Sequence, residues 1–249
     1  MYKRQNKEIA EKVLDEKVRR ILRLTFRTTM NPDRPYGSFA TEEHALTARR
    51  IAQEGIVLLK NQGNLLPLNP EQPRKILVVG ENAKQMMTTG GGSSELKVKK
   101  EVLPWQGIEN YFGTNSQIFY AQGYSNNPAV NRHGLRKQAV EEASKADVVI
   151  YVGGLNKKDN QDCEASDRRS YNLPYEQDQL ITELAEANPN LVVVLISGNA
   201  VAMPWATKVP AIVQAWYGGS EAGNAIASIL SGEVNPVSYT HLRAHETSA

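Results

Sequence analysis

The chain has 249 residues and is nearly neutral, with 29 Lys and Arg against 27 Asp and Glu and a formal net charge of +2. This balance, without blocks of basic residues, excludes the charge pattern of a nucleic-acid or anionic-membrane binder, so neither partner is expected. The single cysteine, Cys163, excludes an internal disulfide framework and a multi-cysteine zinc site. No apolar run approaches the roughly 18 residues of a membrane span. The compartment stays open between cytoplasm, periplasm and secretion.

Both ends of the chain resemble a translated sequencing adapter. Residues 1–5 can be encoded by a start codon followed by a transposase adapter, and residues 237–242 read as the opposite strand of that adapter. We therefore expect residues 1–5 and 237–249 to be foreign, the alternative being a natural polar tail. His241 and His245 have a spacing that would suit a metal pair, but they fall in this tail. No metal site and no cofactor is expected.

The first third of the chain is predicted to contain two helices and a linker. Apolar residues recur at helical spacing from residue 7 to residue 24, with arginines toward the end of the segment. Residues 30–40 carry two prolines and a glycine without periodicity, which is typical of a linker between domains. A second helix is predicted after Thr41, a plausible N-cap, and its apolar spacing extends to Leu59.

The remainder alternates between apolar, β-branched runs and helical patterns. Strands are predicted at residues 75–80, 117–122, 147–153, 191–197 and 211–217, and helices at 105–111, 132–146, 176–188 and 220–231. This alternation predicts an α/β fold with a mostly parallel open sheet and helices on both faces. Two long loops, residues 81–103 and 154–175, follow predicted strands, and ligands bind at such strand ends in parallel sheets.

Each long loop holds candidate functional residues. The first contains a glycine run, Gly90 to Gly92, followed by Ser93 and Ser94. It could be a phosphate-binding loop, a ligand-facing loop or a set of tight turns, but it matches no P-loop pattern and lies about ten residues beyond its strand.

The second long loop concentrates four carboxylates and four basic side chains in residues 156–169. Taken alone, such a loop is either simply solvated or carries a catalytic Glu or Asp, and Asp167 with Arg168 could form a structural ion pair. Cys163 has no histidine paired with it by any motif, so we expect an inert thiol rather than a nucleophile.

Phrases along the chain resemble glycoside hydrolase family 3, in the family's order, over nearly all of residues 20–236. They are Arg-Ile-Leu-Arg at 20–23, Glu-Gly-Ile-Val-Leu-Leu-Lys-Asn at 54–61, Leu-Leu-Pro-Leu at 65–68, Gly-Gly-Gly-Ser-Ser at 90–94, Glu164-x-x-Asp167-Arg168, Leu-Pro-x-x-Gln-x-x-Leu-Ile at 173–181, Ala-Trp-Tyr at 215–217 and Gly-Glu-Val-Asn-Pro at 232–236. The resemblance implies a last helix of an otherwise missing (β/α)8 barrel at 6–29, and an α/β-sandwich domain at 41–236 that is incomplete at its C-terminal end.

The same resemblance assigns roles to matching residues. Glu164 holds the family's general acid/base position, while the Asp nucleophile belongs to the missing barrel, so the fragment is expected to be inactive alone. Gly91, Gly92, Ser93 and Ser94 are expected to border the substrate cleft, and Asp167 and Arg168 to brace the catalytic loop. Ala165 stands where the family often has glycine.

The function implied is that of a retaining, exo-acting β-glucosidase, with a small β-linked oligosaccharide or aryl glucoside as substrate and the barrel domain as partner. Two alternatives are a β-xylosidase of the same family and a non-catalytic α/β module that binds a nucleotide or a carbohydrate.

Overall fold

The computed structural model describes residues 5–6, 9–88, 93, 95–158 and 160–238, and only the backbone of Asp167. The chain divides between Phe39 and Ala40 into two compact units. The first contains α1 (Glu11–Arg27), a helix none of whose residues is buried. Val13, Val18 and Ile21, from the apolar positions predicted from the sequence, are exposed on it. In the described part of the chain, no helix has the length and apolar character needed to cross a membrane.

The second unit is an α/β domain. It opens with a helix capped by Thr41, whose hydroxyl accepts a hydrogen bond from the His44 N–H at 3.2 Å. The elements in chain order are α2 (Glu42–Gly55), β1 (Val57–Asn61), β2 (Lys75–Val79), α3 (Pro104–Phe112), β3 (Gln117–Ala121), α4 (Arg132–Ala143), β4 (Val148–Gly154), β5 (Asp162–Cys163), β6 (Ser166–Asp167), α5 (Gln177–Ala187), β7 (Leu191–Ile196), β8 (Ala211–Gln214), α6 (Ala222–Ser231) and β9 (Val237–Ser238).

Seven of the described strands form one sheet in the order β3-β2-β4-β7-β8-β1-β9. The five strands from β3 to β8 run parallel, whereas β1 is antiparallel to β8 and carries β9 parallel on its outer edge. Helices α3 and α5, which follow the neighbouring strands β2 and β4, pack on opposite faces of the sheet. A crevice therefore opens between the carboxyl ends of β2 and β4, the place where open α/β sheets bind ligands.

The core has one layer on each face of the sheet because successive strand side chains point to opposite sides. In β2, Ile76 and Val78 face the layer formed with α2, α3 and α6, and Leu77 and Val79 face the layer formed with α4 and α5. All four are buried. A strand buried on both faces needs apolar residues at nearly every position, which is why these strands read as continuous apolar runs.

The predicted fold class, an α/β sandwich with a mostly parallel sheet, is confirmed. The second predicted helix is too long, because α2 ends at Gly55 and residues 57–61 form β1. The predicted strand over 211–217 is also too long, since Trp216 has a φ of 56°, outside the extended region. Val237 and Ser238, which the sequence places in a foreign segment, form β9 beside β1.

Candidate active site

Glu164 lies at the tip of a small hairpin formed by β5 and β6. Cys163 pairs with Ser166, so Glu164 and Ala165 are the two residues of the turn. Ala165 has a φ of 62°, a left-handed conformation that costs a non-glycine residue about 1 kcal/mol. The side chain of Glu164 is exposed. The hairpin thus presents a carboxylate from the loop that follows β4.

Ser93, in the loop after β2, contacts this carboxylate. The Ser93 N–H donates to Glu164 Oε2 at 2.7 Å, and the Ser93 hydroxyl donates a short hydrogen bond to the same oxygen. Both bonds stabilise the charged form, so they lower the pKa of Glu164 below its ordinary 4.5. The bond from the Ser93 hydroxyl has the larger effect. The two loops that the sequence singled out therefore meet at the crevice between β2 and β4.

Only some of the predicted site residues lie in the part of the chain that the structure describes. Ser93 and Glu164 are brought together, as just described. Gly91, Gly92 and Ser94 lie outside the described residues, as do Gly90, His241 and His245.

Glu101 joins the two ends of the loop that carries Ser93. Its Oε1 accepts from the Met87 N–H at 2.7 Å, and its Oε2 accepts a short hydrogen bond from the Thr88 hydroxyl. A carboxylate that bonds to both arms of a loop closes the loop at its base. Sequence reasoning did not find Glu101, which has no motif around it.

Arg168 ties the loop after β4 to the loop after β7. Its Nη2 donates to the Ala200 carbonyl at 2.6 Å, and its guanidinium lies over the Tyr171 ring, 5.5 Å from the ring centroid.

 This contact joins two loops at the carboxyl edge of the sheet. The bracing role of Arg168 stays a prediction. Asp167 lies in β6, where its backbone pairs with Asp162.

Asp162, at the base of the hairpin, is a second residue of this region that sequence reasoning did not single out. Its Oδ2 accepts from the Gly198 N–H at 2.6 Å and from the Tyr217 hydroxyl at 2.8 Å, and its Oδ1 accepts from Asn199 Nδ2 at 3.1 Å. Burial, and then the hydrogen bond to Asp162, raise the pKa of the Tyr217 hydroxyl well above its ordinary value. The one signal in the sequence that could have pointed to Asp162 is its place in the chain, two residues before Glu164.

Beside the hairpin lies an open cavity of about 570 Å³. Its lining is mostly polar, which suits a ligand rich in hydroxyl groups, such as a sugar, better than an apolar ligand. The residues lining it are Gln161, Asp162, Cys163, Arg168, Tyr171, Asn199 and Ala200.

The turn directly after β2 is not built to hold a phosphate. It continues into a short 3₁₀ segment, residues 81–84, instead of the first turn of an α-helix. Glu81 lies in this turn and accepts from the Asn126 N–H at 2.8 Å, which places a carboxylate where an anion would have to bind. Among the described residues, no group of three His, Cys, Asp or Glu side chains is placed to hold a metal ion.

Comparison with known proteins identifies the family of this chain. Residues 56–243 match the sequence model of the glycosyl hydrolase family 3 C-terminal domain. The chain is 49% identical to the β-glucosidase BoGH3A of Bacteroides ovatus over 244 residues, which is 92% of this chain and 32% of that protein. It is 33% identical to the thermostable β-glucosidase B of Acetivibrio thermocellus over 233 residues, 92% of this chain and 30% of that protein.

A solved structure of the same family has a similar fold. The GH3 β-glucosidase of Bifidobacterium adolescentis superposes with a TM-score of 0.81 and 29% identity, covering 94% of this chain and 34% of that one. The chain spans about a third of the length of the curated relatives it matches. It belongs to glycosyl hydrolase family 3, of which it carries the C-terminal domain.

Proposed function

We propose that this chain is the part of a retaining β-glucosidase that supplies the general acid/base, Glu164, to a site shared with a barrel domain. The observation that carries the proposal is the placement of Glu164, exposed at the tip of a hairpin above the crevice between β2 and β4. The curated relatives named above, both called β-glucosidases, support a glucoside as substrate over a xyloside.

The chemistry assigned to Glu164 has two steps. In the first, a carboxylate of the barrel attacks the anomeric carbon while the protonated Glu164 gives its proton to the departing glycosidic oxygen. In the second, the ionised Glu164 takes a proton from a water molecule, which attacks the anomeric carbon and releases the barrel carboxylate. Such a pair of carboxyl groups stands roughly 5–5.5 Å apart in retaining enzymes.

The first step requires Glu164 to be protonated, whereas the two hydrogen bonds from Ser93 favour its charged form. In this proposal the bound substrate excludes water from Glu164, and the nucleophile brings a second negative charge. Both changes raise the pKa of a carboxyl group, as the acid role needs. Ser93 then stabilises the charged form in the second step, when Glu164 acts as a base.

The test is a composite enzyme in which this chain replaces the matching third of BoGH3A. We expect the composite to hydrolyse an aryl β-glucoside. Glu164→Ala should lower the rate on an unactivated glucoside by about 10²- to 10⁴-fold, the usual contribution of general acid/base catalysis. A matched control is Glu186→Ala, which removes an exposed carboxylate on α5 that is paired with Lys208.

Equal rates for Glu164→Ala and Glu186→Ala would overturn the assignment of Glu164. A composite that folds but hydrolyses a xyloside in preference to a glucoside would replace the β-glucosidase proposal with the β-xylosidase alternative. A folded composite without hydrolysis of either would overturn the enzymatic proposal and favour a binding module.

A further inference from the structure

Three loops at the carboxyl edge of the sheet converge on Asp162. Asp162 belongs to the loop after β4, Gly198 and Asn199 to the loop after β7, and Tyr217 to the loop after β8. We infer that Asp162 is a positioning residue, which holds the Glu164 hairpin at the place where the acid/base carboxyl acts. This inference rests on the proposed function of Glu164.

The hairpin needs such an anchor because it is too small to be stable alone. Its strands have two residues each, and an isolated two-stranded hairpin is marginal in water even when it is longer. The left-handed conformation of Ala165 adds strain at the turn. The position of Glu164 must therefore be set by bonds at the base of the hairpin.

Two neighbouring residues at that base are anchored in different directions. Gln161 accepts from the Asn156 N–H at 2.8 Å and donates to the Tyr175 hydroxyl at 2.6 Å, toward the start of α5. Asp162, next in the chain, is bonded toward the loops after β7 and β8. Opposed anchors restrict rotation of the hairpin as well as translation.

The carboxylate of Asp162 cannot be replaced by an amide without loss. Gly198, Tyr217 and Asn199 all present donors to it, and both of its oxygens accept. An asparagine offers one acceptor oxygen and no negative charge, so it loses the charge-assisted part of these hydrogen bonds. Tyr217 is held in turn from its ring face, because Lys157 Nζ lies 5.0 Å from the ring centroid.

The first arm of the test uses the 249-residue chain itself and needs no activity. We expect Asp162→Asn and Tyr217→Phe to increase hydrogen exchange at residues 160–168 and to move the titration midpoint of Glu164 toward 4.5, since a displaced hairpin loses the bonds from Ser93. The matched control is Asp147→Asn. Asp147 also accepts a backbone N–H, that of Lys75 at 2.7 Å, but at the opposite edge of the sheet.

The second arm measures how kcat/KM, which reports the first step alone, depends on the leaving group in the composite enzyme. A misplaced acid slows glucosides with poor leaving groups, which need protonation, more than activated aryl glucosides, which do not. For Asp162→Asn we expect a loss of about 10- to 100-fold on a poor leaving group, because an error of 1 Å in position can cost about 100-fold. The loss on an activated leaving group should stay below about 3-fold.

Each outcome separates the inference from the proposed function. Equal losses on both substrates, or an unchanged Glu164 titration in a folded Asp162→Asn chain, would overturn the positioning role while leaving Glu164 as acid/base. Failure of Glu164→Ala to slow the composite would overturn the proposed function. Tyr217→Phe removes one bond and keeps the carboxylate, so it carries the test if Asp162→Asn does not fold.

Discussion

The side-chain amide of Gln177 brackets the backbone of Gly154. Its Oε1 accepts from the Gly154 N–H at 2.8 Å, and its Nε2 donates to the Gly154 carbonyl at 2.8 Å. Gly154 is the last residue of β4, where the loop carrying Glu164 leaves the sheet. A fully buried side chain on α5 thus fixes the departure point of that loop.

Replacing Gln177 with alanine should destabilise the domain strongly. The substitution leaves the Gly154 N–H and carbonyl and the Tyr151 hydroxyl without their buried partner. An unsatisfied buried polar group costs about 1–3 kcal/mol, so we expect the free energy of unfolding to fall by at least about 3 kcal/mol in denaturant titrations.

Gln179→Ala is the matched control on the same helix. Gln179 is bonded to Glu183 on the exposed surface, so its loss should change the unfolding free energy by less than about 0.5 kcal/mol. A Gln177→Ala variant as stable as Gln179→Ala would show that the bracket on Gly154 does not hold β4.

Gly223→Ala should destabilise the domain through the close approach of α6 to the start of α3. A Cβ at Gly223 would lie 2.1 Å from the Leu103 carbonyl oxygen, a backbone atom that cannot easily move. We expect a loss of about 3 kcal/mol, the upper range for overpacking, measured by thermal or chemical unfolding. Gly55→Ala is the control, because a Cβ there meets nothing within 4 Å and alanine is the better helix former. Equal stability of the two variants would contradict this packing.

Ala165→Gly should stabilise the hairpin that carries Glu164. Ala165 has a φ of 62°, and glycine adopts this conformation without the steric cost of about 1 kcal/mol. The expected result is slower hydrogen exchange at Cys163 and Ser166. Ala129→Gly, at an exposed loop alanine, should give no such slowing. Faster exchange in Ala165→Gly would mean that the added freedom of the unfolded chain outweighs the relief of strain.

Ser93→Ala should raise the pKa of Glu164. The Ser93 hydroxyl is the largest cause of its lowered pKa, so its removal moves the midpoint up toward 4.5, as a carboxyl NMR titration would record. A depressed carboxyl pKa adds stability above the unfolded pKa, and that stability is lost as the pH falls through the folded pKa. The variant should therefore lose less stability between neutral pH and pH values below 4.5. Ser170→Ala, in the other long loop, should leave the midpoint unchanged, and an equal change in both variants would contradict the contact.

The sequence predicted the elements that depend on burial. The parallel strands β2, β4 and β7 are apolar at almost every position, because both of their faces are covered. The predicted ends of these strands lie within a residue or two of the observed ends. The boundary at Gly55 was missed because Ile56 and Leu59 continue the helical spacing of α2 by coincidence while belonging to the approach to β1 and to the strand itself.

The candidate site was only partly predictable. Glu164 and Ser93 were singled out through the resemblance, and their contact follows from the adjacency of β2 and β4, which no local pattern encodes. Asp162 was missed because its partners Gly198 and Tyr217 stand 36 and 55 residues away in the chain. Residues that act by joining distant loops carry no spacing signature.

The central claim, that Glu164 is the general acid/base, is tested most directly by azide rescue. Azide attacks the glycosyl-enzyme intermediate without help from a base, so it can replace water when the base is missing. The composite enzyme with Glu164→Ala, given an activated aryl β-glucoside and azide, should recover turnover and release β-glucosyl azide. Turnover that azide does not change, with glucose as the sole sugar product, would contradict the account.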